Sequence, residues 1–161
     1  MINKEIKDLI IVNSFEDFMR AKKSFSFYQN IEYIKNSPNG STIYINNIKY
    51  CSNYRTKYII DQILKVHFTS INSYSQSISY YLRYKYNIPV YLSNKLILIQ
   101  SGSMKNYETF WINYNQVVKI SNKIIYFLSG NKISYSNKDS YWFNQIKKVE
   151  TIAKLFERLR R

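Results

Sequence analysis

The spacing of apolar residues changes along this chain, and the clearest spacing lies in its second half. Val90 to Leu92, Leu96 to Ile99, Thr109 to Ile112, Val117 to Ser121, Ile124 to Leu128 and Lys132 to Ser136 alternate or run apolar. This is the period of pleated strands. Ser129-Gly130-Asn131 reads as the hairpin turn between two of them. The period then lengthens: Trp142, Ile146, Val149, Ile152, Ala153 and Phe156 form one stripe of a helix from about Tyr141 to Leu159. Asp139 or Ser140 is the expected cap. Lys147, Lys148, Lys154 and Arg158 fall on the other faces.

The first half is less regular. Residues 5–12 suit a first strand or a helical turn. Ser14, with Asp17 in the capping-box position, predicts a helix from Phe15 to about Phe27. Its acidic start (Glu16, Asp17) and basic later turn (Arg20, Lys22, Lys23) suit the helix dipole. Ile31 to Ile34 reads as a short strand, and Asn36-Ser37-Pro38-Asn39-Gly40-Ser41 as a turn into Thr42-Ile43-Tyr44-Ile45. Tyr58, Ile59, Ile63 and Val66 give an amphipathic helix from Asn53 to about His67. Ser70 to Ser77 is small and polar, which predicts a loop or a helix junction. Residues 78–86 carry strand-like composition, but Ile78, Tyr81, Leu82 and Lys85 have helical spacing, and helix is preferred. The sum is an α+β fold: one antiparallel β-sheet-rich domain, with N-terminal and central helices and a C-terminal capping helix. Trp111 and Trp142 are expected in its core.

Composition narrows the function. A chain of 161 residues with 45% hydrophobic residues can bury a core without staples. The net charge is +14 and unevenly spread. Residues 1–50 carry 7 basic and 5 acidic groups, residues 51–161 carry 17 and 5. Such an excess attracts polyanions, either nucleic acid or an anionic membrane surface. Abundant Lys, Asn, Ile and Tyr also follow from AT-rich codons, but codon bias leaves the scarcity of Asp and Glu after residue 50 unexplained. A single cysteine, Cys51, excludes an intramolecular disulfide and fits a reducing cytosol. The start has no signal-peptide pattern, and no stretch approaches the ~18 apolar residues of a membrane span. A soluble cytoplasmic protein is expected.

Catalytic groups are scarce. His67 is the one histidine, Cys51 has no activating neighbour in sequence, and carboxylates are scattered. The three glycines, at 40, 102 and 130, sit in turn contexts and form no phosphate loop. Neither an enzyme, a cofactor nor a metal is expected. Binding through basic and aromatic residues remains. Arg83 and Lys85 are interleaved with Tyr80, Tyr81, Tyr84 and Tyr86, which either stack on bases or cover a core edge. Lys119, Lys123, Asn131, Lys132 and Lys138 lie on or between the late strands, and Lys147 and Lys148 on the last helix. All nine polar residues are candidate DNA contacts: lysine and arginine to phosphate, asparagine and arginine to the minor groove.

Order and spacing of several segments carry a resemblance. They are Ile59-Ile60-Asp61, Ile88-Pro89-Val90, Trp111-Ile112, Ile125-Tyr126-Phe127 with Gly130, and Asn144-Gln145. Over Ile43 to Phe156 the chain resembles the competence transcription factor ComK family of low-GC Gram-positive bacteria. The resemblance implies a bacterial, nucleoid-associated transcriptional activator. Such a protein binds AT-rich promoter boxes mainly through the minor groove, as dimers that pair across two boxes, so a homodimer or higher homo-oligomer is expected. It switches on DNA-uptake genes and works with RNA polymerase. Two segments depart from the family pattern. Phe68-Thr69-Ser70-Ile71-Asn72-Ser73-Tyr74-Ser75 lacks the glycines and arginine of the usual aromatic-Gly-x-Ser-x-x-Gly-Arg-like stretch. Ile99-Gln100-Ser101-Gly102-Ser103 replaces the Pro-Thr-x-Ser stretch. The extended tail of some members is not expected after Arg161. An alternative is an adaptor: a sheet capped by a C-terminal helix also looks like a pleckstrin-homology-type domain that binds anionic lipids or peptides.

Overall fold

The computed structural model describes residues 9–12, by their backbone, and residues 28–160. The expected helix over residues 15–27, with its Ser14–Asp17 cap, lies outside the described residues. The architecture is α+β. Strands β1 (Leu9–Val12), β2 (Ile31–Ser37), β3 (Gly40–Ile45), β4 (Ile48–Ser52), β5 (Val90–Ser93), β6 (Leu96–Gln100) and β7 (Phe110–Asn113) build one sheet. Its order is β1-β4-β3-β2-β7-β6-β5. Six of the seven strands pair antiparallel, while β1 joins the edge parallel to β4. A second sheet, in the order β10-β9-β8, comprises β8 (Val117–Ser121), β9 (Ile124–Phe127) and β10 (Lys132–Ser134). The helices bounded within the described residues are α1 (Thr56–Val66), α2 (Ile71–Leu82) and α3 (Asp139–Leu159).

Side-chain alternation separates two cores. Ile34, Ile43, Ile45, Leu96, Leu98 and Trp111 face α1 and α2, meeting Ile59, Ile60, Ile63, Leu64, Ile71, Tyr74 and Ile78. Tyr33, Ile97, Ile99, Phe110 and Ile112 face the other way, onto Ile125, Phe127, Tyr135 and Trp142. Every residue of β6 is therefore buried, because both faces of the strand are covered. Helix α3 serves both cores: Trp142 and Val149 join the second, while Ile152, Leu155 and Phe156 join the first. It lies over edge strand β5, where Tyr91 and Phe156 stack at 5.7 Å.

The hairpins follow local chemistry. Asn46-Asn47 and Asn122-Lys123 have positive φ at both turn positions, the type I′ pattern that matches strand twist and that asparagine tolerates. Pro38-Asn39 closes β2 onto β3, so the strands extend to Ser37 and from Gly40, further than their apolar residues alone predict. Gly40, at φ +148°, is required: a Cβ there would lie 2.0 Å from the Ser52 carbonyl oxygen.

Four local expectations are corrected. Ser70–Ser77 is not a loop but the cap and first half of α2. The Ser70 hydroxyl accepts from Ser73 N (3.1 Å), and the Asp61 carboxylate accepts from Ile71 N (2.8 Å). The helix stops at Leu82, because Arg83 is left-handed at φ 58° and its N–H donates to Ser79 O. Helix α1 starts at Thr56, where Asn36 Oδ1 from β2 accepts from the Thr56 N–H (3.1 Å); Tyr58 is exposed while Ile60 and Leu64 fill the core. Neither Asp139 nor Ser140 caps α3: Lys138 is the cap position and makes no side-chain bond. Trp111 and Trp142 are both in the core as expected.

Candidate nucleic-acid interface

The segment after α2 turns sharply, because Arg83 and Asn87 both adopt positive φ. Three ties hold it. The Lys148 ammonium of α3 donates to Tyr86 O (3.2 Å) and sits 5.3 Å above the Tyr84 ring. Gln100 Nε2 donates to Asn87 Oδ1 (2.9 Å), and Ile88 is buried. The ring of Tyr84 packs against the core, whereas Tyr86 projects with 78% of its surface exposed. Tyr80 and Tyr81 also reach solvent. Arg83 and Lys85 are exposed on this pinned segment. Lys148 is spent on holding it, and partial burial pushes its ammonium below the ordinary lysine value.

Beside this segment runs a groove of about 490 Å³. One wall is α2, with Asn72, Ser75, Gln76 and Ser79. The other is the 101–109 loop, contributing Ser103, Met104 and Lys105. Lys85, Tyr86 and Asn87 close one end, and no carboxylate lines it. The loop is firmly built: Thr109 Oγ1 donates to Ser103 O (2.6 Å), and Phe110 N donates to Ser101 Oγ (2.9 Å). A cation on a tied loop is presented without much further ordering, which favours binding.

The nine sequence candidates divide by place. Lys85 lines the groove, Arg83 is exposed on the adjoining segment, and Lys148 is engaged in holding that segment at Tyr86 O. Lys119 and Lys147 flank a second, smaller groove of about 290 Å³ between β8 and α3; Lys119 lies 4.8 Å over Tyr126 and Lys147 5.1 Å over Phe143. Lys132 and Lys138 are exposed elsewhere, on β10 and at the start of α3. Two more are engaged within the fold. Lys123 is bound to the Asp139 carboxylate (3.3 Å) and donates to Asn137 O (2.8 Å). Asn131 donates to buried Glu32 at 2.9 Å, in the turn after β9. Lys105, Asn72, Gln76, Asn87 and Gln100 were not legible as site residues. They come from four separate segments, and only the crossing of α2 over the sheet brings them together.

The remaining singular residues are His67 and Cys51. His67 ends α1 beside an apolar groove with Tyr74, Tyr91 and Phe156, and burial lowers its imidazole below the ordinary histidine value. Cys51 is half-buried on β4. Among the described residues, no helix is long and apolar enough to cross a membrane. No family model, curated protein or solved structure matches the chain.

Proposed function

We propose that this protein is a non-enzymatic, DNA-binding transcriptional regulator of ComK type, and that the groove between α2 and the 101–109 loop is part of its DNA face. The observation that carries the reading is local charge. Lys85 and Lys105 line a carboxylate-free groove, with Arg83 on the adjoining segment and Tyr86 exposed between them. Lysine and arginine at the rim fix the protein on phosphates, and a side chain entering a narrow A·T minor groove supplies preference. The resemblance extends this to activation of DNA-uptake genes as a homodimer on two boxes, with RNA polymerase as partner. The test is a gel shift at about physiological salt. It compares a duplex carrying two A-tract/T-tract boxes one helical turn apart with a GC-rich duplex of equal length. Preference for the A·T probe, lost on adding a minor-groove ligand, supports the reading. So does a salt slope of about 0.9 per phosphate contacted. Equal binding with a shallow slope sinks it.

A second reading rests on the β8–α3 groove. Val118 and Phe143 are exposed there beside Lys119 and Lys147. Exposed apolar residues beside two lysines suit an anionic lipid surface, with the Asp139 carboxylate of the same groove paired to Lys123. Cosedimentation with phosphatidylserine vesicles, without a DNA shift, favours it. The pleckstrin-homology comparison rested on a sheet capped by one C-terminal helix; here α1 and α2 add a layer on one sheet face.

A further inference from the structure

We infer that the groove between α2 and the 101–109 loop takes an unpaired nucleotide, one whose base carries an exocyclic amine. The inference rests on reading this groove as a nucleic-acid contact, and goes beyond duplex binding. Gln100 is its basis. The residue ends β6 opposite Trp111, lines the groove and is only 5% exposed. Its Nε2 is used on Asn87, while its Oε1 has no hydrogen-bond partner. A buried amide oxygen left unmatched is costly, and such groups in native folds call for an explanation. An incoming N–H would satisfy it. The oxygen is covered in this conformation, so the terminal amide must turn about its soft final torsion to meet the ligand, which gives up the Nε2 bond and releases Asn87 Oδ1 to the groove.

The other lining residues complete a nucleotide's needs. Tyr86 offers an exposed ring for stacking on a base. Lys85 and Lys105 both line the groove and supply cations for phosphate oxygens. Asn72 and Gln76 of α2 offer amides along the edge of the same groove. About 490 Å³ accommodates one nucleotide. Once the Gln100 amide has turned toward the groove, its acceptor favours adenine or cytosine, which present an amine, over thymine, which presents a carbonyl oxygen at the corresponding position.

The test uses fluorescence anisotropy with labelled five-nucleotide strands of dA, dC and dT, alongside the duplex gel shift. The dA and dC strands should bind about tenfold tighter than dT. The Gln100→Leu substitution should erase that difference, while Lys105→Gln weakens all three strands alike. Competition by AMP against TMP on the unaltered protein reads the same preference without any variant. AMP competing better than TMP supports a site for free nucleotides as well. Discrimination among strands without competition by AMP supports a base held on a strand. Equal binding of dA and dT strands overturns the inference, whatever the duplex does. Duplex binding with no strand discrimination removes this inference alone. Strand discrimination without duplex binding keeps the base site and removes the duplex-regulator reading.

Discussion

Lys123 and Asp139 join the β8–β9 turn to the first turn of α3, with the ammonium 3.3 Å from the carboxylate. The Tyr135 hydroxyl donates to the same carboxylate at 2.9 Å. This hydrogen bond and then Lys123 hold the Asp139 carboxyl below its ordinary range. A carboxyl whose folded value is depressed adds stability above its unfolded value, and that contribution fades as pH falls through the folded value. Urea midpoints of the parent and Asp139→Asn should therefore differ at pH 7 and converge toward pH 3. A gap that stays constant with pH would contradict this account.

On the proposed reading, the same pairing separates lysines offered to DNA from a lysine engaged by a carboxylate. Lys105→Ala and Lys85→Ala should each lower the slope of log affinity against log salt by about 1. Lys123→Ala should leave that slope unchanged, because its charge is already matched within the fold. Salt-titrated gel shifts on one duplex decide between them, and a fall of equal size in all three would refute the assignment.

Buried Glu32 accepts from Asn47 N (2.8 Å) and from Asn131 Nδ2 (2.9 Å), tying the β3–β4 and β9–β10 turns together. Asn131→Ala would strand one carboxylate oxygen in the interior. A cost of about 1–3 kcal/mol is expected, read as a lower denaturation midpoint. DNA affinity per folded molecule should not move.

Gly40→Ala should be among the most damaging single changes. The added Cβ would meet backbone rather than a yielding side chain, at a φ that disfavours any L side chain. We expect loss of the cooperative unfolding transition in circular dichroism. Gly130→Ala, where nothing lies within 4 Å, should keep the transition and lose only the backbone preference of its turn.

Much of the fold was legible where packing and local chemistry agree. The late strands, the Gly130 hairpin and the α3 stripe combine apolar period with turn residues, and the structure keeps them. Helix α2 was missed at its start because serine dominates composition there, and serine is an indifferent helix former. Ile71, Tyr74 and Ile78 already carried the helical stripe, and burial against the sheet supplies what propensity does not. The site was partly legible. Arg83 and Lys85 stand out among tyrosines, but Lys105 lies in a polar loop whose position depends on the β6–β7 connection. Asn131 looked free because the sequence does not reveal that a carboxylate 99 residues away is buried beside it.

Helix α3 is a clasp between two interiors that touch opposite faces of one sheet. A chain interrupted before residue 139 would hold every strand, yet leave β5 bare and both apolar layers open on the same side. The two layers should therefore melt as one unit, and the last helix decides whether quality-control proteases meet a finished protein or an unfinished one.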